Sequence, residues 1–139
     1  MKYGSLILEK KEYVYLKKIL NISGYSQDLE TQKSLIKLND EIKDAQIVDE
    51  EEMPKDVIRL NSKVTIVSEK GWQKTLQIVT PKEKDFKNDK ISIITPMGAA
   101  LFGYAQDDTV IWDFPNGQQK LSIISVLREE IYSGIDIAI

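Results

Sequence analysis

The chemistry this chain can perform is bounded first by what it lacks. Its 139 residues contain neither histidine nor cysteine. Serine–histidine triads, imidazole acid–base catalysis, thiol nucleophiles, disulfides and His- or Cys-ligated zinc are therefore excluded. Carboxylates, lysines, tyrosines and hydroxyls remain. Two carboxylates, Asp28 and Glu30, lie close together beside a turn, Asn21-Ile22-Ser23-Gly24-Tyr25-Ser26. A pair of carboxylates at the end of a long probe could hold a magnesium ion. The simpler reading is that both sit in the first helical turn and complement its dipole. Lys82, Lys84, Lys87 and Lys90 form a second cluster, but Glu83, Asp85 and Asp89 interleave them, as in a solvated loop. The net charge of −3, from 19 basic and 22 acidic residues, fits a protein partner better than duplex nucleic acid.

Two kinds of periodicity position these groups. Tyr13, Leu16 and Leu20 recur at helical spacing, with Ile19 alongside and charged residues at Lys10, Lys11, Glu12, Lys17 and Lys18. Leu35, Leu38, Ile42 and Ala45 repeat the pattern, with Lys37, Asp40, Glu41 and Lys43 outside. A short turn between the two predicts an antiparallel hairpin, its second helix running over roughly 27–46, about 30 Å at 1.5 Å per residue. The run Asp49-Glu50-Glu51-Glu52 and Met53-Pro54 end the helical pattern.

After Pro54 the period becomes two. Val64 and Ile66, then Trp72, Leu76 and Ile78, then Ile91 to Ile94, then Val110, Trp112 and Phe114, then Leu121, Ile123 and Ser125 predict an antiparallel sheet of four or five strands. One helix interrupts it. Thr95 is suited to the N-cap and Pro96 to the first helical position; Met97, Ala100 and Leu101 are expected to be buried, with Gly103 near the C-terminal end. The expected fold is α+β: a hairpin over 1–48, a linker over 49–56 and a sheet domain with one packed helix over 57–139. No apolar run approaches the ~20 residues of a membrane span, and the N-terminus lacks a signal-peptide pattern, so a cytoplasmic protein is expected.

The segments Thr95-Pro96-Met97-Gly98-Ala99-Ala100-Leu101-Phe102-Gly103, Asp107-Asp108-Thr109-Val110 and Phe114-Pro115-Asn116-Gly117 resemble the C-terminal domain of the Gre transcript-cleavage factors. Glu51-Glu52-Met53-Pro54-Lys55-Asp56-Val57 and Asn61-Ser62-Lys63-Val64 resemble more closely the regulators of nucleoside diphosphate kinase, Gre homologues with a shortened coiled coil. The resemblance runs from the first helix to about Val126. It implies an FKBP-like domain that docks at the rim of the RNA polymerase secondary channel. It further implies that a Ser-Pro dipeptide, matched here by Thr95 and Pro96 and followed by Met97, forms part of the docking surface. Ile94 departs from the polar residue that precedes this dipeptide in the family. Cleavage factors carry acidic side chains at the coiled-coil tip, to which Ser23, Gly24, Tyr25, Asp28 and Glu30 correspond by position. A hairpin this short is not expected to reach the polymerase metal. The resemblance thus implies a transcription regulator that binds polymerase. A monomer is expected because the helical seams can close within one chain, and no cofactor, metal, catalytic residue, sequence-specific nucleic-acid binding or membrane is expected.

Two other functions remain open on sequence alone. One is an FKBP-type peptidyl-prolyl isomerase, with Trp72, Phe86, Phe102, Tyr104 and Trp112 available to line a pocket. The other is an interaction module for a different protein, with Tyr13, Tyr15 and Tyr25 at its surface.

Overall fold

Leucine and isoleucine at positions 6–8 begin the ordered core rather than a leader into the first helix. In the computed structural model, which describes residues 2–23, 29–114 and 117–128, β1 (Ile7–Glu9) leads directly into α1 (Lys10–Ser23). After α2 (Leu29–Lys43) the chain forms β2 (Gln46–Val48), which pairs in parallel with β1. Parallel strands need a crossover, and the two helices supply it. After them the chain lies beside its start and runs in the same direction. The second helix therefore stops at Lys43, short of the expected position 46, because Gln46 is needed by the strand pair. Its N–H donates to the Leu6 carbonyl at 2.8 Å.

The main sheet has five strands in the order β5-β4-β3-β7-β6, from β3 (Ser62–Ser68), β4 (Gln73–Val79), β5 (Lys90–Ser92), β6 (Thr109–Phe114) and β7 (Gly117–Arg128). Three pairings are antiparallel, but β4 and β5 run parallel, which corrects the expectation of an antiparallel sheet. The segment between them, with one-turn 3-10 helices at Pro81–Glu83 and Phe86–Asn88, carries the chain back to the starting end of β4. Its polar residues are structural as well as solvated, since Asp85 caps the second turn by accepting from Lys87 N–H at 3.2 Å.

On β3 the alternation holds throughout, with Ser62, Val64, Ile66 and Ser68 all buried. On β7 it fails after Ile123. The register slips opposite Thr65 and Ile66, Ile124 is the extra residue, and Val126 rather than Ser125 turns inward. This is a β-bulge, which shifts the inward set by one residue. Trp72 precedes β4 and packs half-buried on the core while its indole N–H donates to Gln119 at 3.2 Å.

One hydrophobic core joins both parts of the chain. It takes Leu16 and Leu20 from α1, Leu35, Leu38 and Ile42 from α2, and the inward residues of β3, β4 and β7. A smaller cluster of Ile7, Val57 and Ala105 closes the base of the two-helix segment.

Candidate functional site

The third helix, α3 (Pro96–Leu101), is only six residues long, so its conformation depends on its ends. Thr95 supplies the N-cap as its residue type predicts. Its Oγ1 donates to the Ser92 carbonyl at 2.7 Å and accepts from the Gly98 N–H at 3.1 Å. Pro96 occupies the first helical position. Ser92, itself buried, accepts from the Ile94 N–H through its hydroxyl at 3.2 Å. Thr95, Pro96 and Met97 are thereby held in one rigid turn, each half-buried with a remainder open to solvent.

The inward face of α3 differs from the expected one. Gly98, Ala99 and Leu101 are buried, whereas Met97 and Ala100 are only partly so. The reason is how closely the helix approaches β5. A Cβ at Gly98 would overlap the Ser92 carbonyl oxygen and lie 3.1 Å from Ile93 Cα. A backbone that close admits only glycine at 98, and this rotates Met97 outward. Gly103, at φ +86°, ends the segment and packs against Leu6 and Leu8, linking α3 to β1.

Beside α3 is a cavity of about 390 Å³, walled by α2, α3 and the facing ends of β6 and β7. Pro96 and the two alanines of α3 form one side. Of the five aromatics considered for a proline-binding pocket, Trp112 alone lines it. Phe102 is in the core, Phe86 is 74% exposed, and Tyr104 donates its hydroxyl to Glu41 at 3.1 Å. That contact makes Glu41 a link between α2 and the sheet domain rather than an outer-face charge. Burial, together with the Glu41 carboxylate, raises the Tyr104 phenol well above its ordinary range.

The most heavily bonded charged group among the described residues was not among the sites expected from the sequence. Arg59 is 7% exposed and donates to Glu12 through Nε at 3.1 Å and Nη2 at 2.9 Å. It also forks onto both oxygens of Glu50, and Arg128 approaches Glu12 at 3.6 Å. Glu9 accepts from the N–H groups of Lys11 and Glu12 at 2.9 and 3.1 Å, capping α1. Glu12 lies four residues before Leu16 and eight before Leu20, on the buried stripe. A second signal was available: Arg59 and Arg128 are the only arginines among the 19 basic residues, and both join this network. A planar fork suits a buried carboxylate better than an ammonium does.

Burial pushes the Glu12 carboxyl upward, more than Arg59 and Arg128 draw it down. Hydrogen bonds from Arg59 hold the Glu50 carboxyl below its usual range. Burial opposes the charge on Arg59, but Glu50 and Glu12 together raise its pKa further. Every buried side-chain polar atom among the described residues has a partner.

No group of carboxylates among the described residues is arranged to hold a metal, and no helix there is long and apolar enough to cross a membrane. Gly24, Tyr25 and Asp28 lie outside the described residues, as does Pro115-Asn116. Ser23 ends α1 and Glu30 falls in the first turn of α2, and nothing further is described of their side chains.

The family model for the C-terminal region of the transcription elongation factors GreA and GreB matches residues 53–128. The chain belongs to this GreA/GreB family. The matched stretch contains all five strands of the main sheet, α3 and the Thr95–Pro96 turn. The chain is 31% identical over 94 residues to transcription elongation factor GreA of Christiangramia forsetii, covering 67% of this chain and 60% of that one. It is 36% identical over 81 residues to the regulator of nucleoside diphosphate kinase of Escherichia coli, covering 58% and 60%. The matches thus span about three-fifths of the length of these curated relatives. Among solved structures, a GreA/GreB elongation factor from Nitrosomonas europaea superposes with a TM-score of 0.71 at 29% identity, over 89% of this chain and 98% of that one.

Proposed function

We propose that this GreA/GreB-family protein is a transcription regulator that binds RNA polymerase at the rim of the secondary channel through the start of α3, and that it does not stimulate transcript cleavage. The observation that carries the reading is the Thr95–Pro96–Met97 turn. It is fixed by Ser92 and Gly98, partly solvent-exposed, and lies within the stretch matched by the family model. A pre-formed turn loses little conformational freedom on binding, which favours its use as a docking element. The division of labour is a two-helix element over 1–48, a linker over 49–56 and an FKBP-like docking domain over 57–139. The protein acts as a cytoplasmic monomer.

The absence of cleavage rests on reach. With 14 and 15 residues, α1 and α2 are each about 21–22 Å long. Their inner ends are committed to the core through Leu16, Leu38 and Ile42. What is left is a short probe for a distant metal ion. Asp28 and Glu30, two residues apart, would be separated by roughly 160° around the axis of a continuous helix.

Co-purification with core polymerase tests the docking. Thr95→Arg combined with Pro96→Ala should weaken it at least about tenfold in a protein that still unfolds cooperatively; unchanged binding removes this turn from the interface. Added to stalled elongation complexes with magnesium, the protein should leave the cleavage rate unchanged. Cleavage that depends on Asp28 or Glu30 would place it with the cleavage factors.

A further inference from the structure

The cavity between α2, α3 and the β6–β7 end has a chemistry that the docking turn does not use. Its α2 wall presents Lys33 and Lys37, one helical turn apart on the same face and both exposed. Neither lysine has an ion-pair partner among the described residues. The Ser34 hydroxyl lies between them in sequence on the same wall. Leu38 of the same helix and Ala99 and Ala100 of α3 add apolar lining, together with the half-buried indole of Trp112. Glu41 sits one turn beyond Lys37 and is engaged by the Tyr104 hydroxyl, so negative charge marks the far end.

We propose that this cavity binds a mononucleotide, its phosphate held by Lys33, Lys37 and Ser34 and its base against Trp112. Size, charge and shape agree on this class. A volume of about 390 Å³ falls within the range of small-molecule pockets, ~300–1,000 Å³. Two ammonium groups with no ion-pair partner among the described residues, beside a hydroxyl donor, match a multiply charged phosphate, in a protein whose overall charge is negative. An indole face is a general platform for a nucleobase. Glu41 fixes the orientation, because a phosphate at that end would meet a carboxylate. A single aliphatic acid would use the lysines but not the indole. An acidic peptide would extend beyond so small a concavity.

Calorimetric titration of the full chain with AMP, adenosine and inorganic phosphate tests this directly. AMP should bind saturably, and at least about tenfold more tightly than either fragment, since only AMP reaches both walls. Replacing Lys33 and Lys37 together by alanine should weaken AMP at least about tenfold and leave adenosine unchanged. Both lysines are exposed, so the melting temperature should hardly move. In the unaltered protein, NMR should show the Trp112 indole N–H signal shifting with AMP while that of Trp72 stays in place. The proposal is overturned if AMP does not saturate below about 10 mM, if the lysine-free variant binds it equally well, or if Trp72 responds instead. It is equally overturned if an oligoglutamate peptide moves the Trp112 signal and AMP does not, which would mark the cavity as a protein-binding groove.

Discussion

The starts of α1 and α3 are both helix N-termini seated against the same core, and they are fixed by opposite means. Glu9 caps α1 with a carboxylate, and the Glu12 of its first turn is locked by Arg59, which also holds Glu50. Thr95 caps α3 with a hydroxyl, and no charge takes part; the fit depends on Gly98 against the Ser92 carbonyl. The difference follows from what each must join. The base of α1 is met by segments distant in sequence: the 3-10 turn at Glu50–Glu52, the residues before β3 and the end of β7. A forked, charged group can tie three such segments at one point. The start of α3 adjoins β5, only a few residues earlier, so short neutral bonds and close packing suffice, and its outer surface stays uncharged.

The sharpest way to break this contrast is to remove the fork. Arg59→Ala leaves Glu12 buried without its principal counter-charge, and breaking a buried pair from one side costs about 3–5 kcal/mol. Urea unfolding should show most of that loss, with Arg59→Lys recovering only part because an ammonium cannot reproduce the fork. A loss below about 1 kcal/mol would mean that apolar packing, not charge, secures the base of α1.

At α3 the steric half of the comparison predicts a smaller but still clear effect. Gly98→Ala should cost about 1–3 kcal/mol through overpacking against Ser92 and Ile93. Thr95→Ala should cost about 1 kcal/mol through loss of the cap. Neither loss should depend on salt, whereas part of the Arg59 effect should. If Gly98→Ala proves neutral by thermal unfolding, α3 can move away from β5 and the docking turn is less rigid than its bonds imply.

Which of these features could be read in the sequence depended on whether their cause was local. Thr95 and Pro96 carry their roles in their own side chains, so the cap and first turn of α3 were legible. The strand alternation of Val64 and Ile66 was legible for the same reason. The inward face of α3 was not, because it is set by a backbone contact between Gly98 and Ser92 that no periodicity reports. The β1–β2 pair is three residues on each side and takes its meaning from a partner across two helices. The bulge at Ile124 shows in neither strand alone. Glu12 is the instructive miss. Its spacing to Leu16 and Leu20 placed it on the buried stripe, and only its charge argued otherwise. A charged residue in an apolar stripe implies a buried partner, and the chain's two arginines are the residue type suited to supply it.

The smallest predicted effect separates the two carboxylates that share Arg59. Glu50 has a depressed folded-state pKa, so the unfolded chain binds its proton more readily. Its contribution to stability is complete above the ordinary glutamate value of roughly 4.3 and is lost as pH falls through the folded-state pKa. Glu12 has the opposite sign. Its folded-state pKa is raised by burial, so the native protein retains a proton that the unfolded chain has released. That contribution is complete below the ordinary value and declines as pH rises through the raised pKa. The two terms change on adjoining sides of the same pH, so together they produce a shallow maximum near it. Glu12→Gln should flatten the decline above that pH, and Glu50→Gln the rise below it, as measured by urea midpoints across pH 3 to 7. Neither change should alter the contribution of the uncharged Thr95 cap. A Thr95→Ala penalty that varied with pH in step with either glutamate would show that the charged and the neutral anchors are coupled through the core.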